Sequence, residues 1–150
     1  MILQFASMLA ISFAIGAANA KPLKVQSVTV VAVFYPQFGI HRSDMSPQLD
    51  RLYNEMVAQI SSIPGYRARA ARRECDSAEL GAETVHATLY VESELLLDQR
   101  LRLTLYRVGR KQPLRVVSVQ LNHGHLRKSA VATLMNRDMW LADRTPSITC

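Results

Sequence analysis

The fold is decided between residues 85 and 121, which read VHATLYVESELLLDQRLRLTLYRVGRKQPLRVVSVQL. Apolar and polar residues alternate there in three runs. The apolar positions are Val85, Ala87, Leu89 and Val91, then Leu101, Leu103 and Leu105, then Val117, Val119 and Leu121. A period of two is typical of half-buried strands. The connections near 97–99 and 109–113 are short enough for hairpins, so this stretch predicts an antiparallel three-strand meander.

Upstream of the meander, the sequence predicts a central strand followed by an amphipathic helix. Val25 to Phe34 form a β-branched run, which suits a strand covered on both faces. Ser46 is the expected helix N-cap, with proline next at the first helical position. Apolar residues at helical spacing form one stripe facing that strand, and they are Leu49, Leu52, Tyr53, Met56, Ile60 and Ile63. The pair Pro64-Gly65 is expected to end the helix.

The remaining segments complete a single small domain. Residues 66–70 are predicted to form a short strand, and a helical turn from Asp76 or Ser77 to Leu80 is expected to close at Gly81. A last helix over about 125–141 is expected to bury Leu126, Ala130, Leu134 and Met135. The predicted order is β-α-β-α-β-β-β-α. It describes an α/β domain of the α+β type with a mixed sheet and a C-terminal antiparallel meander.

The first twenty residues have the pattern of a secretory signal. They carry no charged side chain, are mostly apolar and close on Ala18-Asn19-Ala20, a small-x-small pattern that a signal peptidase accepts. We therefore expect residues 1–20 to be removed, leaving residues 21–150 as one periplasmic or secreted domain. The alternative is an uncleaved membrane anchor, since about 20 residues can just span a bilayer. After cleavage, no stable membrane insertion is expected.

Charge and cysteine content narrow the partners of an exported chain. The formal net charge is +6 at neutral pH, and the signal contributes none of it. In an exported protein such a charge favours an acidic protein partner or an anionic membrane surface over nucleic acid. Cys75 and Cys150 are the two cysteines, and an oxidising compartment favours a disulfide between them. Two free thiols remain the alternative.

The order and spacing of several short segments resemble a known family. These segments are Val30-Val31-Ala32-Val33-Phe34, the helix from Leu49 to Ile60, Ile63-Pro64-Gly65-Tyr66-Arg67, Leu80-Gly81-Ala82 and Arg100-Leu101-Arg102-Leu103-Thr104. Over about residues 28–140 the chain is similar to the small α/β domain at the amino terminus of the periplasmic protein TolB, here in a stand-alone secreted format. The turn at 109–113 departs from that pattern because it lacks the usual acidic residue followed by glycine. The resemblance implies a domain that binds another protein and does not turn over a substrate.

His123-Gly124-His125 is the sharpest candidate for other chemistry. Two imidazoles two residues apart can share a metal ion, and His86 and His41 would add ligands only if the fold brought them near. The favoured interpretation is an exposed turn, so no metal and no cofactor is predicted. The sequence has neither a Gly-x-Ser-x-Gly elbow nor a glycine-rich phosphate loop. We expect a non-enzyme, with a metal-delivery protein and a small hydrolase as the alternatives.

The sequence also contains one dense run of positive charge. Arg67, Arg69, Arg72 and Arg73 are four arginines within seven consecutive positions. They are the predicted partner-binding residues, together with Arg100, Arg102, Arg110, Lys111 and Arg115. Arginine suits a surface that recognises carboxylates, although a solvated face is an equally ordinary reason for such a run. The sequence therefore predicts an exported, non-catalytic accessory protein that docks a protein partner in the cell envelope.

Overall fold

A computed structural model describes residues 27–39 and 45–141. The predicted signal, His41 and Cys150 lie outside these ranges. The strands are β1 (Thr29–Phe34), β2 (Gln37–Phe38), β3 (Tyr66–Ala71), β4 (Leu89–Leu95), β5 (Arg100–Arg107) and β6 (Arg115–Gln120). The helices are α1 (Ser46–Ser62), α2 (Ala78–Thr84) and α3 (Lys128–Leu134), followed by a 3-10 turn at Arg137–Met139. None of these helices is long and apolar enough to cross a membrane.

The strands form one mixed sheet in the order β3-β1-β4-β5-β6. Strand β1 lies parallel to both β3 and β4, and the short β2 extends this arrangement by pairing parallel with β4. The chain then returns twice, so that β4, β5 and β6 are antiparallel neighbours. The predicted fold class and the C-terminal meander are therefore confirmed. Strand β2 was not predicted, because two residues after a proline give too short a pattern to recognise.

Helices cover the two faces of the sheet unequally. α1 and α3 cover one face, where Leu52, Met56 and Leu134 are almost completely buried. α2 covers the other face over β3, β1 and β4, and packs Ala82 against a small cluster around Phe34. Strand β1 is consequently enclosed on both sides, as its continuous apolar run predicted.

Helix boundaries differ from the predictions at three places. Met45 is the N-cap of α1 and makes no side-chain cap bond, so Ser46 is already the first helical residue. α2 does not close at Gly81 but continues through it to Thr84. α3 begins at Lys128, because residues 122–125 form a tight turn closed by backbone hydrogen bonds in both directions. The four residues predicted to be buried around this last helix are all buried.

Strand β4 begins at Leu89, four residues after the start that the alternation predicted. Val85 is the C-cap of α2, and His86 adopts a positive φ of 57° that turns the chain. The alternation therefore extends across two elements. Its first apolar positions pack against the α2 side of the sheet, whereas Leu89 and Val91 belong to the α1 side.

Candidate partner-binding face

Half of one sheet face carries no helix. α2 packs on β3, β1 and β4, so the same face of β5 and β6 is uncovered by any other described element. The outward residues there are Arg100, Arg102 and Thr104 on β5, and Val116, Ser118 and Gln120 on β6. Val116 is 50% exposed, which is high for a valine in a strand. We call all of the exposed surface on this side of the sheet the open face. Besides the uncovered β5 and β6, it includes Glu92 and Glu94 on β4, Arg73 beyond β3, and Arg67 and Arg69 on the opposite edge strand β3.

Ion pairs cross the open face between neighbouring segments. Arg73, just beyond β3, donates to Glu92 Oε1 on β4 over 2.7 Å. Arg102 on β5 pairs with Glu94 on β4. These side chains are all between about one quarter and one half exposed, so each pair contributes at most about 1 kcal/mol to stability. Their main effect is to hold charged groups in defined positions.

Two arginines on β3 add positive charge that no described carboxylate pairs with. Arg67 and Arg69 stand opposite Val30 and Ala32 in the register of β3 with β1, so both point to the open face. Arg67 is exposed, whereas the half-buried Arg69 donates from Nη1 to the carbonyl oxygen of Val85 over 3.0 Å. Arg69 therefore also ties β3 to the end of α2.

Arg72 points away from the other three predicted arginines. Burial raises the pKa of Tyr53 on α1, and the guanidinium charge of Arg72 opposes that shift, which places Arg72 on the α1 side. The alternation along β3 explains this, because Arg72 follows Ala71 of the opposite face. The run that looks continuous in the sequence is thus divided between two surfaces. Arg100 and Arg102, which follow Arg72 by 28 and 30 residues, lie on the same side of the sheet as Arg67 and Arg69.

The other basic residues named with the run also separate. Arg115 pairs with Leu105 in the register of β5 and β6, so its side chain lies on the α3 side of the sheet. Its Nη1 atom is buried and makes no hydrogen bond. Arg110 and Lys111 lie in the turn between β5 and β6, at one end of these two strands.

An aromatic stack borders the open face where α2 ends. The rings of Tyr90 and Tyr106 lie parallel with their centres 4.9 Å apart, and Phe34 meets Tyr90 edge-on. Burial, followed by the negative charges of Glu79 and Glu92, raises the pKa of Tyr90 to about 12. Both tyrosines occupy positions that the alternation marks as outward, and only the β4–β5 register brings them together. The sequence offered no separate signal for this pair.

The two candidate metal-ligand histidines, His123 and His125, lie in a turn and are not grouped with other ligands among the described residues. His125 Nδ1 lies 2.6 Å from Glu55 Oε1 on α1, and Glu55 Oε2 accepts the backbone N–H of Leu126 over 2.7 Å. His123 is exposed with a φ of 50°. Across residues 27–39 and 45–141, no three His, Cys, Asp or Glu side chains are grouped to hold a metal ion. The carboxylate of Glu55 thus fastens the 122–125 turn to α1.

Cys75 is exposed in the tight turn that joins β3 to α2. It has a φ of 49°, and backbone hydrogen bonds between Glu74 and Ser77 close the turn around it. Because Cys150 lies outside the described ranges, its disulfide with Cys75 stays a prediction. The exposed position leaves the Cys75 thiol accessible for such a bond.

Comparison with known proteins assigns no family to the chain. No protein-family model and no curated protein matches it. One similar solved structure is a hypothetical protein from Chlamydia trachomatis, 12% identical, with a TM-score of 0.47 over 61% of this chain and 69% of that chain. Another is a neuraminyllactose-binding hemagglutinin homolog from Helicobacter pylori, 10% identical, with a TM-score of 0.44 over 79% of this chain and 86% of that chain. The resemblance to the TolB amino-terminal domain stays a prediction.

Proposed function

We propose that this chain is an exported, non-catalytic accessory protein that docks an acidic protein partner on the open face. The observation that carries the proposal is the bare half-sheet over β5 and β6, which bears Arg100 and Arg102 of β5; Arg67 and Arg69 lie on the same side of the sheet, on its opposite edge strand β3. A sheet face beside a helix ordinarily becomes part of the core. Here its outward positions carry charged and hydroxyl side chains together with the exposed Val116, which suits contact with a protein surface.

The charge pattern selects the kind of partner. Arg67 and Arg69 have no carboxylate partner among the described residues, and the whole chain carries a formal net charge of +6. A partner with a carboxylate-rich surface would pair with these groups and would be attracted over a distance of about 8 Å at physiological salt. Each exposed pair contributes only a few tenths of a kcal/mol, so the combined charge should act mainly on the association rate.

Charge reversal on the open face tests the proposal. We expect Arg67→Glu combined with Arg100→Glu to abolish most capture of the partner from an envelope extract by the immobilised mature chain. Both side chains are exposed, so the melting temperature should change little. Arg69 is left unchanged because its bond to the Val85 carbonyl contributes to the fold.

A matched control separates the open face from net charge. Arg127→Glu combined with Lys128→Glu makes the same change in charge at the exposed start of α3, on the other side of the sheet. This control variant should still capture the protein that the wild type captures. Capture by the wild type should weaken as the salt concentration is raised. Docking on the open face would be ruled out if both double variants still captured the partner. It would also be ruled out if both failed to capture it.

A further inference from the structure

A cleft separate from the open face lies at the end of the sheet where β1 and β4 begin. It has a volume of about 500 Å³, which falls in the range of sites for small organic ligands. Leu89 and Leu114 form its apolar base and are 3% and 4% exposed. Thr29 and Thr88 also line the cleft, and two arginines, Arg107 and Arg137, bring positive charge to the same space.

Hydrogen bonds and two aromatic rings position the guanidinium of Arg137 in this cleft. Its Nε donates to Tyr66 Oη over 2.9 Å, and one terminal nitrogen donates to Thr29 Oγ1 over 3.3 Å. The guanidinium carbon lies 5.5 Å from the ring centre of Tyr66 and 5.8 Å from that of Trp140. Two aromatic faces and two neutral oxygens therefore orient the charged group while leaving its positive charge intact.

Arg137 retains donors for a further partner. A guanidinium has five N–H groups, and the two hydrogen bonds to neutral oxygens use two of them. No carboxylate in residues 27–39 or 45–141 forms an ion pair with Arg137. The remaining donors include two on one side of a planar fork, the geometry that binds a carboxylate through both oxygens.

The apolar wall of the cleft is fixed as well. The indole N–H of Trp140 donates to the carbonyl oxygen of Leu134 over 2.9 Å, which sets the orientation of the ring. The backbone N–H of Leu141 donates to the carbonyl oxygen of Leu114 over 2.9 Å and holds the end of the described chain against the start of β6. A ligand would thus meet a wall that is already in place, so little conformational entropy is lost on binding.

We propose that this cleft binds a small organic carboxylate with an apolar body. The carboxylate would accept hydrogen bonds from Arg137, and the apolar body would pack between Trp140 and the base formed by Leu89 and Leu114. A guanidinium beside apolar side chains suits a carboxylate with a hydrocarbon part, and Arg107 adds a second positive charge to the lining. Inorganic phosphate has no group to fill the apolar half of the cleft.

Tryptophan fluorescence reports on the cleft directly, because Trp140 is the one tryptophan among the 150 residues. The probes are hexanoate, its neutral counterpart hexanamide, and inorganic phosphate, each titrated into the full mature chain at low ionic strength. We expect a saturable fluorescence change with hexanoate and an affinity at least about tenfold weaker for the other two. Equal responses to hexanoate and hexanamide, a stronger response to phosphate, or no saturable response would overturn the proposal.

Two variants test the role of Arg137. Arg137→Gln should weaken hexanoate binding at least about tenfold, whereas Arg127→Gln, at the exposed N-cap of α3, should leave it unchanged. Because Arg137 also contacts Tyr66, a second variant avoids dependence on folding. Thr88→Asp places a negative charge in the cleft at an exposed position and should abolish hexanoate binding in a chain with an unchanged circular dichroism spectrum. Unchanged binding in both cleft variants would refute the site.

Discussion

Replacing Gly81 with alanine, which adds one methyl group to α2, tests how closely this helix packs against the sheet. Gly81 lies inside α2, where alanine would ordinarily be the better helix former by about 1 kcal/mol. A Cβ atom built at Gly81 lies 2.0 Å from the carbonyl oxygen of Arg72 and 3.0 Å from Phe34 Cε1. Atoms do not approach a Cβ at 2.0 Å, so Gly81→Ala requires α2 to withdraw from the end of β3.

The size of the effect follows from that withdrawal. The obstacle is backbone at the end of a strand, which cannot rotate away as a flexible side chain would. The helix must move by about 1 Å, and the movement loosens Ala78 and Ala82 against Phe34. Overpacking of this kind costs about 1–3 kcal/mol or more, and the gain in helix propensity offsets only about 1 kcal/mol. We expect a net loss of about 2 kcal/mol, which lowers the melting temperature by about 10 °C.

Urea denaturation followed by circular dichroism measures this loss. The midpoint should fall for Gly81→Ala without a change in slope, since the folded and unfolded surfaces stay similar. Gly65→Ala is the matched control, because a Cβ there meets nothing within 4 Å and only the φ of +88° is unfavourable. It should cost less, about 1 kcal/mol. A Gly81→Ala protein that is more stable than the wild type would refute the close contact between α2 and β3.

Alkaline pH should destabilise the fold through Tyr90. The pKa of Tyr90 is raised from 10.0 to about 12 in the folded chain, so the unfolded chain loses this proton first as the pH rises. The contribution of Tyr90 to the free energy of unfolding should therefore stay constant below pH 10 and fall by about 2 kcal/mol towards pH 12. Tyr90→Phe should reduce this fall, and an undiminished fall would contradict the assignment. The predicted disulfide is tested by intact mass. Protein isolated without reductant should begin at Lys21 and be lighter than the reduced chain by two hydrogens, whereas free alkylation of Cys75 and Cys150 would exclude the bond.

The experiments on the two proposed surfaces fail independently. Reversal of Arg67 and Arg100 changes the open face, whereas the variants at Arg137 and Thr88 lie in the cleft at the end of the sheet. Loss of carboxylate binding would leave partner capture intact, and loss of capture would leave the fluorescence titration intact. A variant that affected both would indicate a change in folding, which the melting temperature detects.

The candidate site was only partly predictable from the sequence. The sequence indicated that arginines would dominate it, and the positions of Arg67 and Arg69 on one face of a short strand followed from a period of two. The sequence analysis also grouped Arg72 with these two arginines. That grouping relied on proximity along the chain, which does not show on which side of the sheet a side chain at the end of a strand lies. The pairing of Arg73 with Glu92 joins two segments that are 19 residues apart, and only the β3-β1-β4 order brings them together.

The amino-acid pattern is sufficient to predict the fold class, the three-strand meander and the buried faces of β1, α1 and α3. Those features depend on local periodicity, and each run is long enough for the period to be recognised. Tertiary structure alone decided that α2 passes through Gly81, that half of the sheet face stays open, and that Arg137 meets Tyr66 and Trp140 in a cleft. The reason is physical, because each of these features depends on how close two distant segments approach, and a one-dimensional pattern contains no distances.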